Sequence, residues 1–293
     1  MSIRTILLAA SGGSAGQGSA ELCGRLARQF GAHVEGYHVR TDPRRIVLAA
    51  GDGFGTPAVG ELIEHTAQEV AELAARARRH FDEAVAEYDL PMRSEALTAG
   101  TGAAAREATA AWREDTGIAG ALVPHRARYF DLVVLGRSER VINEPHTDVL
   151  EETLVSGGRP VLVAPAKAPK EIGRVIAIAW NASAESARAV AGAAPFIGAA
   201  KSVHVLTAGE TDPADGALLV QALAWHGINV GAAHCPPISG IPIGQQLLTA
   251  AQQRGADLLV MGGYSRPAWR EMLFGGATRQ VIGNSLMPIL IAH

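Results

Sequence analysis

The chain has 293 residues, enough for two domains of ordinary size, each able to bury its own core. Its 48% hydrophobic and 19% charged content is that of a globular protein and excludes a disordered or fibrous one. A formal net charge of −3 gives no general attraction to nucleic acid or to an anionic membrane.

The first half opens with an apolar run over Ile3–Ala10, which predicts a strand buried on both faces. The small-residue turn Ser11-Gly12-Gly13-Ser14 follows it. A helix then carries Leu22, Leu26 and Phe30 on one face and leads to a strand over His33–Arg40. Residues 41–57 bear Gly and Pro and read as a loop. Val59, Leu62, Val70, Leu73, Ala77, Phe81 and Val85 recur at three- and four-residue steps and predict a long helix over 59–88. Arg76, Arg78, Arg79 and His80 in its later part read as a solvated face that suits the helix dipole. A strand near Ala110–Glu114 and a helix over 117–129 lead to a strand over Asp131–Gly136, and a short Pro-led strand follows at 160–164.

The second half is more compact. Strands are predicted at Ile172–Trp180, Lys201–Thr207, Ile228–Cys235 and Asp257–Gly262, with helices at Ala184–Ile197, Pro213–His226 and Ile243–Gly255. The last strand covers 287–291. Such alternation means βαβ units, a parallel sheet and right-handed crossovers, so the fold class is α/β. Ligands of such sheets bind outside the carboxyl ends of the strands, where the turns at Ser11, Asn181 and Gly262 are expected.

The chain also repeats itself. Asp131-Leu-Val-Val-Leu-Gly136 returns as Asp257-Leu-Leu-Val-Met-Gly262, and Arg159-Pro-Val-Leu-Val-Ala164 returns as Met287-Pro-Ile-Leu-Ile-Ala292. The opening Arg4–Ala10 matches Arg174–Trp180. Three paired landmarks in one order indicate duplication, with Pro165–Lys170 as the linker and domains at 1–166 and 171–293.

The last segment carries the candidate site. Gly262 and Gly263 break a buried strand, and Gly275-Gly276 precedes a helical pattern through Thr278, Val281 and Ile282 that stops near Gly283-Asn284. A strand, a Gly-rich turn and a Gly-led helix start commonly present backbone N–H groups to an anion. A phosphate would meet amides from 263–266 and from Gly276, Ala277 and Thr278, with the Thr278 hydroxyl and Arg266 or Arg270 nearby. The other reading of these glycines is a purely structural turn.

This segment resembles the C-terminal part of the universal stress protein family, whose nucleotide-binding members carry Gly-x2-Gly-x9-Gly followed by Ser, Thr or Asn. The matching positions are Gly262, Ser265, Gly275 and Gly276, so a serine replaces one glycine and a glycine replaces the hydroxyl residue. The flanking YSRPAWREMLFGGATR resembles one tandem subgroup of the family. The resemblance implies two tandem universal-stress-protein-like (adenine nucleotide alpha hydrolase-like) domains, each with a five-stranded, mainly parallel sheet flanked by helices. It further implies an internal pseudo-dimer of the two halves through their last strands, and leaves a homodimer of the whole chain open. The family places an acidic residue after its first strand, where this chain has Ser11 and Asn181. Asn181 can still hydrogen-bond a base edge or a hydroxyl, or can simply cap the next helix, as can Ser183 or Ser186.

The expected protein is thus a cytoplasmic stress-response binding or regulatory module, with ATP or another adenine nucleotide held by the second half. The first half lacks the later glycine pair at motif spacing, and Glu139, Glu144, Asp148, Glu151 and Glu152 would repel phosphate. Partner recruitment through a vestigial site, or weak nucleotide hydrolysis, are the alternatives. No metal and no enzymatic activity are expected. Cys23 and Cys235 read as reduced thiols, His204 as a satisfied core imidazole, and Trp180, Trp225 and Trp269 as core or interface residues.

Overall fold

The computed structural model of the protein describes residues 2–44, 56–94, 107–137, 149–209, 211–263 and 276–293. They fall into two compact units, one built mainly of Ile3–Gly158 and the other of Arg159–Pro165 with Pro169–His293.

In the N-terminal unit the elements run β1 (Thr5–Ala9), α1 (Gly16–Phe30), β2 (His33–Arg40), α2 (Thr56–Glu87), β3 (Thr109–Thr116), α3 (Ala119–Ala127), β4 (Leu132–Gly136) and α4 (Val149–Ser156). Its strands lie in the order β3-β2-β1-β4, all parallel. Ile6, Leu7 and Leu8 of β1 and Leu132, Val133 and Val134 of β4 are buried, as the unbroken apolar runs require of strands covered on both faces. Ala74, Ala77 and Phe81 form the buried stripe of α2, and Phe81 packs on Trp112 with ring centroids 5.2 Å apart.

The C-terminal unit begins with β5 (Val161–Ala164). There follow β6 (Val175–Ala179), α5 (Ala184–Gly192), α6 (Ala194–Ile197), β7 (Ser202–Ala208), α7 (Pro213–Ala224) and β8 (Val230–Cys235). Then come α8 (Ile243–Gln253), β9 (Leu258–Gly262), α9 (Gly276–Asn284) and β10 (Ile289–Ala292). The strand order is β5-β10-β9-β6-β7-β8, parallel except that β5 runs antiparallel to β10, pairing Ile289 with Val163 and Ile291 with Val161. The short Pro-led strand at the end of the first half is therefore a member of the second unit by its contacts. The single helix expected over Ala184–Ile197 is two helices. Pro195, in the first turn of α6, has no N–H to continue the ladder, and the chain restarts at Ala193.

The duplicated Asp-Leu-Val/Leu-Val landmark has a structural reason. Asp131 Oδ2 accepts hydrogen bonds from the backbone N–H of Arg4 at 2.8 Å and of Thr5 at 3.0 Å, and from the Thr5 hydroxyl at 3.2 Å. Asp257 repeats this one half later. Its Oδ1 accepts from Gly173 N–H at 2.7 Å and Arg174 N–H at 3.0 Å, and both its oxygens lie 3.3 Å from Val175 N. Each carboxylate thus ties the start of one strand, β4 or β9, to the start of the first strand of its repeat, β1 or β6. Removing one strands half-buried amides, so Asp257→Ala should lower unfolding free energy by roughly 1–3 kcal/mol in urea denaturation, with an unchanged m-value.

Candidate functional site

At the carboxyl edge of the C-terminal unit, β9 ends against the first turn of α5. A Cβ built on Gly262 would sit 2.5 Å from Ser186 N and 2.9 Å from Glu185 Cβ, so only glycine allows this approach. The turn between β6 and α5 is held from within. Asn181 Oδ1 accepts from Ser183 N–H at 3.3 Å and from the Ser183 hydroxyl at 2.8 Å. Ser183 is the N-cap of α5: its oxygen accepts from Ser186 N–H at 3.2 Å, and the Ser186 hydroxyl donates back to Ser183 O at 2.8 Å. Ala182 between them takes a left-handed conformation, φ 57°, unusual for a residue with a side chain. Asn181 therefore works as a turn former, with its residue exposed to solvent.

Glu185, in the first turn of α5, was not among the expected site residues. Its carboxyl is held below the usual range by its own backbone N–H first, then by Ser183, Arg188 and His293, against a smaller opposing effect of burial. Arg188 Nη2 reaches it at 2.7 Å. The sequence signal for it was Ser183-x-Glu185-Ser186, a capped start with an acid in the first turn.

The amide of Gly263 is already engaged. Its N–H donates to Ala292 O at 2.9 Å, and His293 Nδ1 lies 3.2 Å from its carbonyl oxygen, so β10 already uses the amide assigned to an anion. Ser265, Arg266 and Gly275, and with them Arg270 and Trp269, lie outside the described residues. Gly276, Ala277 and Thr278 form the first turn of α9, in keeping with a Gly-led helix start. Thr278 is buried, and the turn packs on α8 through Gly244, where a Cβ would lie 2.7 Å from Ala277 O.

Two further residues of this edge were missed as site candidates. Trp180, directly after β6, donates its backbone N–H to Leu206 O at 2.8 Å, but its indole Nε1 is buried and has no hydrogen-bond partner among the described residues. Gln246, in the first turn of α8, donates to Ile241 O at 2.7 Å through Nε2, while its buried Oε1 likewise lacks a partner there. Buried polar groups are nearly always satisfied, so this donor and this acceptor are the atoms of the edge left for a water or a ligand. Glutamine carries no motif, and tryptophan reads first as core.

The N-terminal unit arranges the same edge differently. Gly136 at the end of β4 approaches α1 as Gly262 approaches α5, with a built Cβ 2.9 Å from Ala15 Cβ. The turn after β1 is covered by α2, however. Arg76 Nε donates to Gly12 O at 2.9 Å, His80 Nδ1 lies 3.3 Å from Ser11 O, and a Cβ on Gly12 would overlap the Leu73 carbonyl. The expected solvated face of α2 is therefore a fastening: Arg76 and His80 hold the turn, and Arg78 pairs with Asp82 and lies over the Trp112 ring at 5.2 Å. The acidic run over 138–148 lies outside the described residues.

Elsewhere, His204 is partly exposed rather than a core residue, although its neighbours Val203 and Val205 in β7 are buried. Burial and Arg254 both push its pKa down. Burial pushes the Cys23 thiol well up, the state of an inert core cysteine. Trp225 is 90% exposed. Among the described residues no group of three or more His, Cys, Asp or Glu is placed to hold a metal, and no helix is long and apolar enough to cross a membrane.

Known structures share the fold. The chain is similar to a universal stress protein from Archaeoglobus fulgidus DSM 4304, with a TM-score of 0.67 at 13% identity, covering 98% of this chain and 95% of that one. It is also similar to a functionally unknown protein from Pseudomonas aeruginosa PAO1 (TM-score 0.54, 16% identity, 99% and 92% covered). A candidate universal stress protein from Pseudomonas aeruginosa UCBPP-PA14 gives a TM-score of 0.53 at 15% identity, with 99% and 93% covered. No family model and no curated protein matches the sequence. The chain thus has the α/β fold seen in universal stress proteins, along nearly its whole length.

Two outcomes follow from the geometry at Gly262. Gly262→Ala forces a methyl group onto the α5 backbone and should cost about 1–3 kcal/mol of stability by thermal or chemical denaturation. The lowered pKa of Glu185 means its contribution is present above its unfolded value and is lost as pH falls through the folded one. Glu185→Gln should therefore narrow the stability gap between neutral and acid pH, read as a smaller drop in melting temperature on acidification.

Proposed function

We propose that the protein is a universal stress protein of the tandem type, a cytoplasmic binding module that takes an adenine nucleotide at the carboxyl edge of its C-terminal unit. The observation that carries this reading is the pair of buried, unpartnered polar atoms there, Trp180 Nε1 and Gln246 Oε1. An aromatic base edge offers both the acceptor and the donor that they lack. The start of α9 at Gly276 supplies N–H groups and a positive dipole end for a phosphate. The turn at Asn181 is exposed to solvent, whereas its N-terminal counterpart is fastened under α2, which supports a single binding half.

Binding rather than turnover is the activity proposed. Calorimetric titration with ATP and AMP tests it. Heat at one site per chain is expected, and Trp180→Phe, which deletes the N–H and keeps the ring, should weaken binding about fivefold to a hundredfold. Silence from both nucleotides at millimolar concentration retires the nucleotide and leaves a partner-recruiting protein.

A further inference from the structure

The last strand of the C-terminal unit's sheet is left open. β8 pairs with β7 on one side, from Val203 with Val230 to Ala208 with Cys235, and among the described residues nothing pairs with its other side. The corresponding edge strand of the N-terminal unit, β3, is protected twice. Ala110 exchanges backbone hydrogen bonds with Pro91 O at 3.0 Å and Arg93 N at 2.7 Å, and the strand carries Arg113, Glu114 and Asp115. Charge and a covered ladder are the usual defences of a sheet edge, and β8, with the sequence VGAAHC, has neither.

The chemistry around β8 is as bare. From Gly216 through Gln253 there is no Asp, Glu, Lys or Arg, in a chain that is 19% charged. That span covers most of α7, all of β8 and α8. Its apolar side chains are not all spent on the core: α7 turns Gly216, Leu219 and Leu223 inward, while Leu218 and Trp225, two turns apart on another stripe, are 62% and 90% exposed. Gly231, Ala232 and His234 of β8 are exposed as well, and a Cβ built on Gly231 meets nothing within 4 Å. A surface with depleted charge and an exposed tryptophan has the composition of an interface core.

We propose that β8 and α7 form a homodimer interface, in which β8 pairs antiparallel with β8 of a second copy across a two-fold axis normal to the sheet. An unpaired ladder fits a strand, and a two-fold pairing sets the same patch of both copies against itself, residue i on j and j on i. The interface must then tolerate self-contact, and a span with no formal charge meets that condition where the Arg113-Glu114-Asp115 edge does not. The same axis puts the two α7 helices on one face of the joined sheet, so that their Leu218 and Trp225 stripes are shielded together.

Sedimentation velocity of the full chain across micromolar concentrations tests this. The expected species has twice the 30.5 kDa chain mass. Ala232→Lys, which sets like charges opposite each other across the axis, should yield monomer, and Trp225→Ser should weaken the dimer about tenfold or more. Both positions are exposed, so circular dichroism and melting should match wild type. Val155→Lys, at an exposed apolar residue of the other unit, should leave the dimer intact. A chain that stays monomeric throughout, with or without affinity for lipid vesicles, overturns the proposal. So does a dimer indifferent to Ala232→Lys.

Discussion

The close approach of a strand end to a helix start is the constraint on which both units depend. At Gly136 against Ala15, and again at Gly262 against Glu185 and Ser186, backbone meets backbone at a distance that any side chain would block. The contact sets how far β4 and β9 advance past β1 and β6, and so where the loop that follows each emerges. At the amino end of the same strands, Asp131 and Asp257 fix the other end by accepting amides from the start of the neighbouring strand. Strand and neighbour are thus pinned at both ends, and the carboxyl edge is a place rather than a tendency.

On this common frame the two halves have diverged through the helix between their second and third parallel strands. In the N-terminal unit it is α2, 32 residues long, which at 1.5 Å per residue spans about 48 Å. It runs far enough to lay Leu73, Arg76 and His80 on the turn after β1 and close it. In the C-terminal unit the equivalent is α7, with 12 residues, about 18 Å. It covers the sheet but leaves the Asn181 turn exposed. One change of helix length thus accounts for a covered turn in one half and an exposed one in the other.

The fold was legible because its signals are local and redundant. Unbroken apolar runs such as Leu258–Met261 mark strands buried on both faces, and the duplicated landmarks supply each assignment twice. The site was legible only in part. Glycine spacing pointed to Gly262, whose role is packing against α5, and to Gly276, which does open a helix. It could not show that the Gly263 amide is consumed by Ala292, since that depends on where β10 ends. Nor could periodicity tell that Arg76 and His80 reach a turn some 65 residues earlier, because a cationic helix face looks the same whether it meets water or a carbonyl. Trp180 and Gln246 were invisible for a related reason: an orphaned atom is a property of its surroundings.

The Asn181 turn stores backbone strain. A side-chain-bearing residue in the left-handed region costs on the order of 1 kcal/mol, and Ala182 at φ 57° has no polar side chain to offset it. The hydrogen bonds from Ser183 to Asn181 and from Ser186 to Ser183 hold it there. A glycine at 182 would remove this cost and lift the steric limit on the backbone. With the indole N–H and the amide oxygen that find no partner among the described residues, the strain at Ala182 makes two costs on one edge.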